Sequence, residues 1–157
     1  MSIRRMLAVS TVAALSLAGS AAVTAAPADA ASLHGSCGKG WPSKTRDKVA
    51  ITAVNKQHKR VAVAYVYSYV KTYPHSIHRT ACAILRPVAG YTGSKHEMLV
   101  GIQFHKPGSP APAKERADKY YVGPVTIAIN SKYGTYRVFG AITIGKRVYN
   151  ISGPWRS

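Results

Sequence analysis

The sequence predicts an all-β protein: a single antiparallel sandwich or barrel-like domain of about seven strands with one disulfide. Three observations support this fold class. Residues 59–71 alternate regularly between two sets of side chains over their whole length. Several other short runs are rich in β-branched and aromatic residues, and glycine, proline or polar clusters separate them. Two cysteines, Cys37 and Cys82, follow an apolar N-terminus that has the character of a leader.

Residues 1–30 have the pattern of a secretory signal peptide. Two arginines stand near the start, residues 6–18 are apolar, and residues 28–30 read Ala-Asp-Ala, which suits a cleavage site. We therefore expect a secreted, extracellular protein with one domain over residues 31–157 and no stable membrane insertion after processing. A membrane anchor is the alternative, but the apolar run is short for a span.

The chain is strongly basic, with 22 Lys and Arg residues against 5 Asp and Glu and a net charge of +17. Removal of the leader takes away two arginines and one aspartate, which leaves +16. A field of this sign favours association with polyanions. We expect an anionic cell-surface polymer or extracellular nucleic acid as partner, and a monomer without cofactors. The alternative is that the charge only keeps a small secreted protein soluble.

The two cysteines are expected to pair, because export places them in an oxidising compartment. A Cys37–Cys82 disulfide would join the N-terminal loop to a later strand, and in the chain-entropy model it would stabilise the fold by roughly 4 kcal/mol. Two free thiols are the alternative. The sequence contains no Cys-x-x-Cys motif and no Cys/His cluster that would indicate redox or zinc chemistry.

The first strands follow from local patterns. Residues 47–55 are predicted as a strand, with a short helix as the alternative, and the polar residues 55–58 turn the chain into the strand 59–71. In that second strand Val61, Val63 and three tyrosines are predicted to share one face, opposite smaller residues. Together the two strands make a hairpin.

The later strands are separated by turn residues, and one longer segment interrupts them. Residues 105–119 contain three prolines and are predicted to be irregular, with one or two helical turns after Pro112. Gly123-Pro124 should bend its strand or form a bulge at an edge, and Gly145-Lys146 suits a type II′ hairpin. The predicted strands here are 80–86, 97–104, 120–130, 135–144 and 147–151.

The tyrosine stripe on strand 59–71 is the candidate binding site. Bases or sugars stack on such rings, and cationic side chains at both ends of the strand would attract an anionic polymer. The alternative is that the rings cover a sheet or fill the sandwich interior. The candidate polyanion-binding residues are Lys59, Arg60, Tyr65, Tyr67, Tyr69 and Lys71.

An enzymatic alternative is a small secreted nuclease or toxin-like enzyme. Such chemistry needs a carboxylate base, a histidine acid and cations for the phosphate. Residues of these types are present, but no spacing requires that they act together, so we assign no catalytic and no metal-binding residue. A third alternative is a binding protein that inhibits a secreted enzyme through residues 105–119. The candidates for acid–base work are Glu97, His96 or His105, and Arg86 or Arg137.

Three short pieces of the mature chain resemble the spore-associated protein A family of small exported actinobacterial proteins. They are Cys-Gly-Lys-Gly-Trp at 37–41, Cys-Ala-Ile-Leu-Arg at 82–86 and Tyr-Tyr-Val-Gly-Pro-Val at 120–125. The family pattern has a second cysteine pair toward the C-terminus, where this chain has Ser131, Tyr133 and Tyr136 instead. The resemblance implies export and association with the spore or cell surface, and it implies no reaction.

Overall fold

The structure, a computed structural model, describes residues 37–129 and 134–157. The predicted leader and most of the turn predicted at 131–134 lie outside these residues. The described residues form eight strands, with no α-helix among them. The strands are β1 (Asp47–Val54), β2 (Arg60–Thr72), β3 (Arg79–Pro87), β4 (His96–Phe104), β5 (Ala113–Asp118), β6 (Val122–Ile129), β7 (Tyr136–Ile144) and β8 (Arg147–Ser152).

The strands build two four-stranded sheets in which every neighbouring pair is antiparallel. The first sheet has the order β1-β2-β3-β6 and the second sheet the order β5-β4-β7-β8. The sheets lie face to face, because β1 contacts β8, β2 contacts β7, β3 contacts β4 and β6 contacts β5. The predicted all-β class is confirmed, and the architecture is a sandwich with two open sheets.

The core lies between the sheets and consists of the inward-facing members of each alternating pattern. It holds aliphatic side chains with almost no exposed surface. Gly140 lets the sheets approach closely, since an added Cβ would lie 2.7 Å from Val66 Cγ2 and 2.8 Å from Leu85 Cδ1. The largest fully buried aliphatic residues between the sheets are Ile51, Val63, Val66, Leu85, Met98, Val100, Ile102, Ile129 and Ile142.

The long strand β2 carries an irregularity that the regular alternation did not predict. Ile51 pairs with Ala64 and Thr52 with Ala62, so Val63 is an extra residue in a β-bulge. Val63 and Ala64 are adjacent in sequence and both lie in the core. Val63 therefore does not share a face with the tyrosines that follow it, and the predicted single face is corrected at this point.

The segment predicted to hold helical turns is instead the edge strand β5, which pairs with β4 from His96 to Gly101. Most of its side chains are exposed, so its sequence lacks the apolar alternation that would have revealed a strand. One or two isolated helical turns have little stability of their own, whereas the free edge of β4 offers a full set of backbone partners. The tertiary pairing therefore decides the structure here.

The turn between β7 and β8 agrees with its prediction, since Gly145 has a φ of +61°, as the first central residue of a type II′ turn requires. In the described part of the chain, no helix has the length and apolar character that crossing a bilayer demands.

Candidate anion-binding surface

The predicted disulfide between Cys37 and Cys82 is confirmed, with the two Cα atoms 6.2 Å apart. It lies on the outer face of the first sheet, where it holds the N-terminal segment against β2 and β3. Tyr69 and Ile84 are fully buried beside it, and Trp41 and Tyr67 pack on the same cluster. The first sheet is thus covered on both faces at this point, by the main core and by this smaller one.

Tyr69, one of the candidate stacking residues, is fully buried in this smaller core. Its hydroxyl has no hydrogen-bond partner. Burial, with a smaller contribution from Tyr67 and against the opposing effect of Arg86, raises the pKa of Tyr69 to about 12. The ring of Tyr69 offers no face to a ligand, so we give it a structural role.

Tyr65 and Tyr67 remain at the surface as a half-buried pair, with ring centroids 6.0 Å apart and planes tilted by 53°. Lys48 on β1 places its Nζ 4.2 Å from the Tyr65 ring centroid and 5.7 Å from that of Tyr67. Ammonium groups at such distances are attracted to aromatic faces. Sequence reasoning missed Lys48, because its position depends on the pairing of Lys48 with Tyr67 across the sheet.

Arg86 on β3 is the cross-strand partner of Tyr65. It therefore lies on the side of β2 away from β1 and Lys48. We call the patch formed by Lys48, Tyr65, Tyr67 and Arg86 the tyrosine face. Each of its basic residues flanks β2 from a different neighbouring strand, so cationic groups border the rings on both sides.

The other cationic candidates lie at the ends of β2. Lys59 precedes the strand, Arg60 begins it, and Lys71 is its penultimate residue. At about 3.3 Å per residue, Lys59 and Lys71 are roughly 40 Å apart. Lys71 places its Nζ 5.4 Å from the Tyr73 ring centroid. The predicted cationic residues therefore lie at the two ends of β2, whereas Lys48 and Arg86 lie beside its central tyrosines.

The carboxylates of the described residues lie away from this surface. Asp47 is buried and paired with Arg156, and Asp118 is paired with Arg116 at the end of β5. Glu97 and Glu115 line a shallow depression on the outer face of the second sheet. The basic residues of the tyrosine face therefore raise the positive potential on the outer face of the first sheet.

The acid–base candidates are spread over the molecule. Glu97 lies at the start of β4 and His105 follows its end, roughly 26 Å away at 3.3 Å per residue. His96 places Nδ1 3.2 Å from the Thr143 carbonyl oxygen and Nε2 3.0 Å from that of Tyr91. Arg86 lies on the first sheet, whereas Glu97 and His96 lie on β4 of the second. The structure therefore does not bring a carboxylate, a histidine and an arginine from this set together.

Two members of that set do meet, around a residue that sequence reasoning missed. The ring of His105 lies edge-on to Trp155 at 4.7 Å between centroids, and Arg137 Cζ lies 4.5 Å from the Trp155 centroid. The Arg137 guanidinium also donates two hydrogen bonds to Gln103 Oε1, at 3.0 and 2.9 Å. Trp155 comes from the C-terminal segment, and no local pattern predicts that it reaches the end of β4.

Comparison of the chain with protein-family models, with curated proteins and with solved structures yields no match.

Proposed function

We propose that this protein binds an anionic polymer of the spore or cell surface through the outer face of its first sheet, as a secreted, non-enzymatic monomer. The observation that carries the proposal is the tyrosine face. Two surface tyrosines lie between Lys48 and Arg86, on a sheet face where no described carboxylate lies. Rings of this kind give a polymer a surface to stack on, and the cations attract its charge.

The disulfide agrees with the proposed location, because such bonds persist in oxidising, extracellular compartments. The net charge of +16 that remains after removal of the leader supplies a long-range attraction to any polyanion. The resemblance to the spore-associated protein A family supports the surface association.

The test is the binding of a fluorescently labelled phosphodiester wall polymer, with a labelled DNA duplex as the comparison. Affinity should fall steeply between about 50 and 200 mM salt, because each neutralised phosphate releases counterions. Binding that is insensitive to salt would overturn the electrostatic basis of the proposal. Binding to DNA alone would overturn the choice of a surface polymer.

Matched charge variants then locate the surface. A variant with Lys48→Gln, Lys59→Gln and Lys71→Gln removes three charges from the first sheet. Its control, with Lys95→Gln, Lys119→Gln and Lys146→Gln, removes three charges from exposed turn and loop positions. We expect the first variant to lose more affinity than the control. Equal losses would show that the charge acts diffusely and that Tyr65 and Tyr67 are structural.

A further inference from the structure

A second basic site lies at one end of the sandwich, apart from the tyrosine face. It is a cleft of about 590 Å³ between the segment that leads into β1, the last residues of β2, the start of β3 and the C-terminal segment. We call it the cationic cleft. The polar and charged residues of its lining are Lys44, Thr45, Arg46, Thr72, Arg79 and Arg156.

The charge of the cationic cleft is unbalanced. Lys44, Arg46, Arg79 and Arg156 line it, and no carboxylate is among its lining residues. The nearest carboxylate shown to act on these groups is Asp47, which is buried and accepts hydrogen bonds from Arg156 Nε at 2.9 Å and Ser68 Oγ at 3.2 Å. Four cationic groups against one carboxylate leave three positive charges in excess. Like charges around one cavity repel each other, and a multivalent anion would relieve that repulsion.

Backbone contacts hold the walls of the cleft. Arg156 exchanges two backbone hydrogen bonds with Tyr136, at 2.7 and 2.6 Å, and the Arg46 N–H donates to the Ser68 carbonyl at 2.7 Å. Arg46 and Arg156 lie outside the strands, but these hydrogen bonds hold the backbone of Arg46 against β2 and that of Arg156 against β7. Fixed anchor points of this kind reduce the entropic cost of binding a ligand.

Tyr136 is a buried residue on which the cations of the cleft act electrostatically. Tyr136 is 1% exposed, and its hydroxyl has no hydrogen-bond partner. Burial raises the pKa of Tyr136, Asp47 raises it further, and Arg46, Arg79 and Arg156 oppose them. Three cations of the cleft thus act electrostatically on one unpaired buried donor. Tyr136 is not among the residues that line the cleft, so it reports the positive field of these cations and is not itself part of the site.

The chemistry of the lining favours phosphate. Guanidinium groups donate two parallel hydrogen bonds to phosphate oxygens, and the cleft offers those of Arg46 and Arg79, since the Arg156 guanidinium already pairs with Asp47. A single carboxylate would neutralise one charge, whereas a pyrophosphate group would neutralise the excess. We propose that the cationic cleft binds a ligand with two or more phosphate charges, independently of polymer binding at the tyrosine face.

A neighbouring depression indicates where the rest of such a ligand would lie. It shares Pro42, Val70 and Thr72 with the cationic cleft and adds Trp41 and Lys71. An organic group attached to the phosphates would meet the partly exposed Trp41 ring there. The probe without that group is inorganic pyrophosphate, which tests the phosphate site alone.

The experiment is calorimetric titration of the purified protein with pyrophosphate at low ionic strength. We expect saturable binding of one pyrophosphate per chain, weakened about tenfold or more by Arg79→Gln and by Arg46→Gln, since each removes charge-assisted hydrogen bonds. The matched control is Lys146→Gln, which removes one charge at the β7–β8 turn and should leave the affinity nearly unchanged. Arg156 is left intact because it also pairs with Asp47.

Absence of saturable binding, or equal weakening by Lys146→Gln, would overturn the proposal. Folding of each variant is checked by its melting temperature, and Lys44→Gln, at an exposed position, serves as the second cleft variant if either arginine variant unfolds. Titration with acetate tests the anion class: equal affinity for acetate would contradict the phosphate assignment. Lys48→Gln separates the two sites, because it should weaken polymer binding and leave pyrophosphate binding intact.

Discussion

Asp47 and Arg156, which are 109 residues apart in the sequence, form an ion pair that fastens the C-terminal segment to the first strand. Arg156 Nη2 lies 2.6 Å from Asp47 Oδ1, and the Asp47 side chain is only 6% exposed. The hydrogen bond to Asp47 raises the pKa of Arg156. The pair thus joins β1 of one sheet to the segment that pairs with β7 of the other, and its Arg156 member lines the cationic cleft.

Replacement of Asp47 should destabilise the fold. Asp47→Ala removes the acceptor for Arg156 and for Ser68, and we expect a loss of about 1–3 kcal/mol in the free energy of unfolding. Urea denaturation measures this loss. The control is Asp118→Ala, which breaks the more exposed pair with Arg116 and should cost less than about 1 kcal/mol. Equal costs for the two variants would contradict the structural role given to Asp47.

Reduction of the disulfide should lower stability more than either ion pair does. The Cys37–Cys82 bond spans 45 residues, and the chain-entropy model assigns it about 4 kcal/mol. Differential scanning calorimetry with and without reductant should show a fall in melting temperature of about 10–20 °C. Non-reducing mass spectrometry should find the two cysteine peptides linked. Two thiols that alkylate freely in the native protein would contradict the structure.

The sequence was sufficient for the fold class because alternation is local. The period of two over residues 59–71 and the turn residues around the other runs identify strands without any tertiary information. The sequence did not predict the edge strand β5, because an exposed strand needs no apolar face and so shows no alternation. The sequence also did not predict the bulge at Val63. One extra residue changes the facing of its neighbours but leaves the run rich in the same residue types.

The candidate site could be predicted only in part, for a related reason. Tyr65 and Tyr67 are two residues apart on one strand, so the alternation alone predicted that they are neighbours on the same face. The position of Lys48 beside them depends on the register of β1 against β2, and the bulge shifts that register. The cationic cleft joins Arg46, Arg79 and Arg156 from three distant parts of the chain, and no spacing in the sequence predicts such a cluster.

Gly140 should tolerate no side chain. An added Cβ would lie less than 3 Å from the side chains of Val66 and Leu85 on the facing sheet, so Gly140→Ala must displace these core side chains. We expect a loss of about 1–3 kcal/mol, as for other overpacked cores. The control is Gly90→Ala, because a Cβ at Gly90 has nothing within 4 Å. Urea denaturation should separate the two variants, and a Gly140→Ala protein as stable as Gly90→Ala would show that the sheets are less closely packed.

The buried tyrosines should make the protein sensitive to alkali. Burial raises the pKa of Tyr69 from 10.0 to about 12, so the folded state holds the phenolic proton more tightly than the unfolded state does. A group with a raised pKa contributes stability that is complete below the unfolded pKa and is lost as pH rises toward the folded one. The contribution of Tyr69 should therefore be intact up to about pH 10 and disappear between pH 10 and 12.

The Tyr69→Phe variant tests this account directly. It removes the phenolic proton together with a buried hydroxyl that has no partner, so near neutral pH it should be as stable as the parent protein or slightly more stable. Between pH 10 and 12 its free energy of unfolding, measured in urea, should fall less steeply than that of the parent protein. Tyr73→Phe, at an exposed position, controls for the loss of a surface phenol. An unchanged slope in Tyr69→Phe would show that the pKa of Tyr69 is not raised in the folded protein, and that the alkaline sensitivity arises elsewhere.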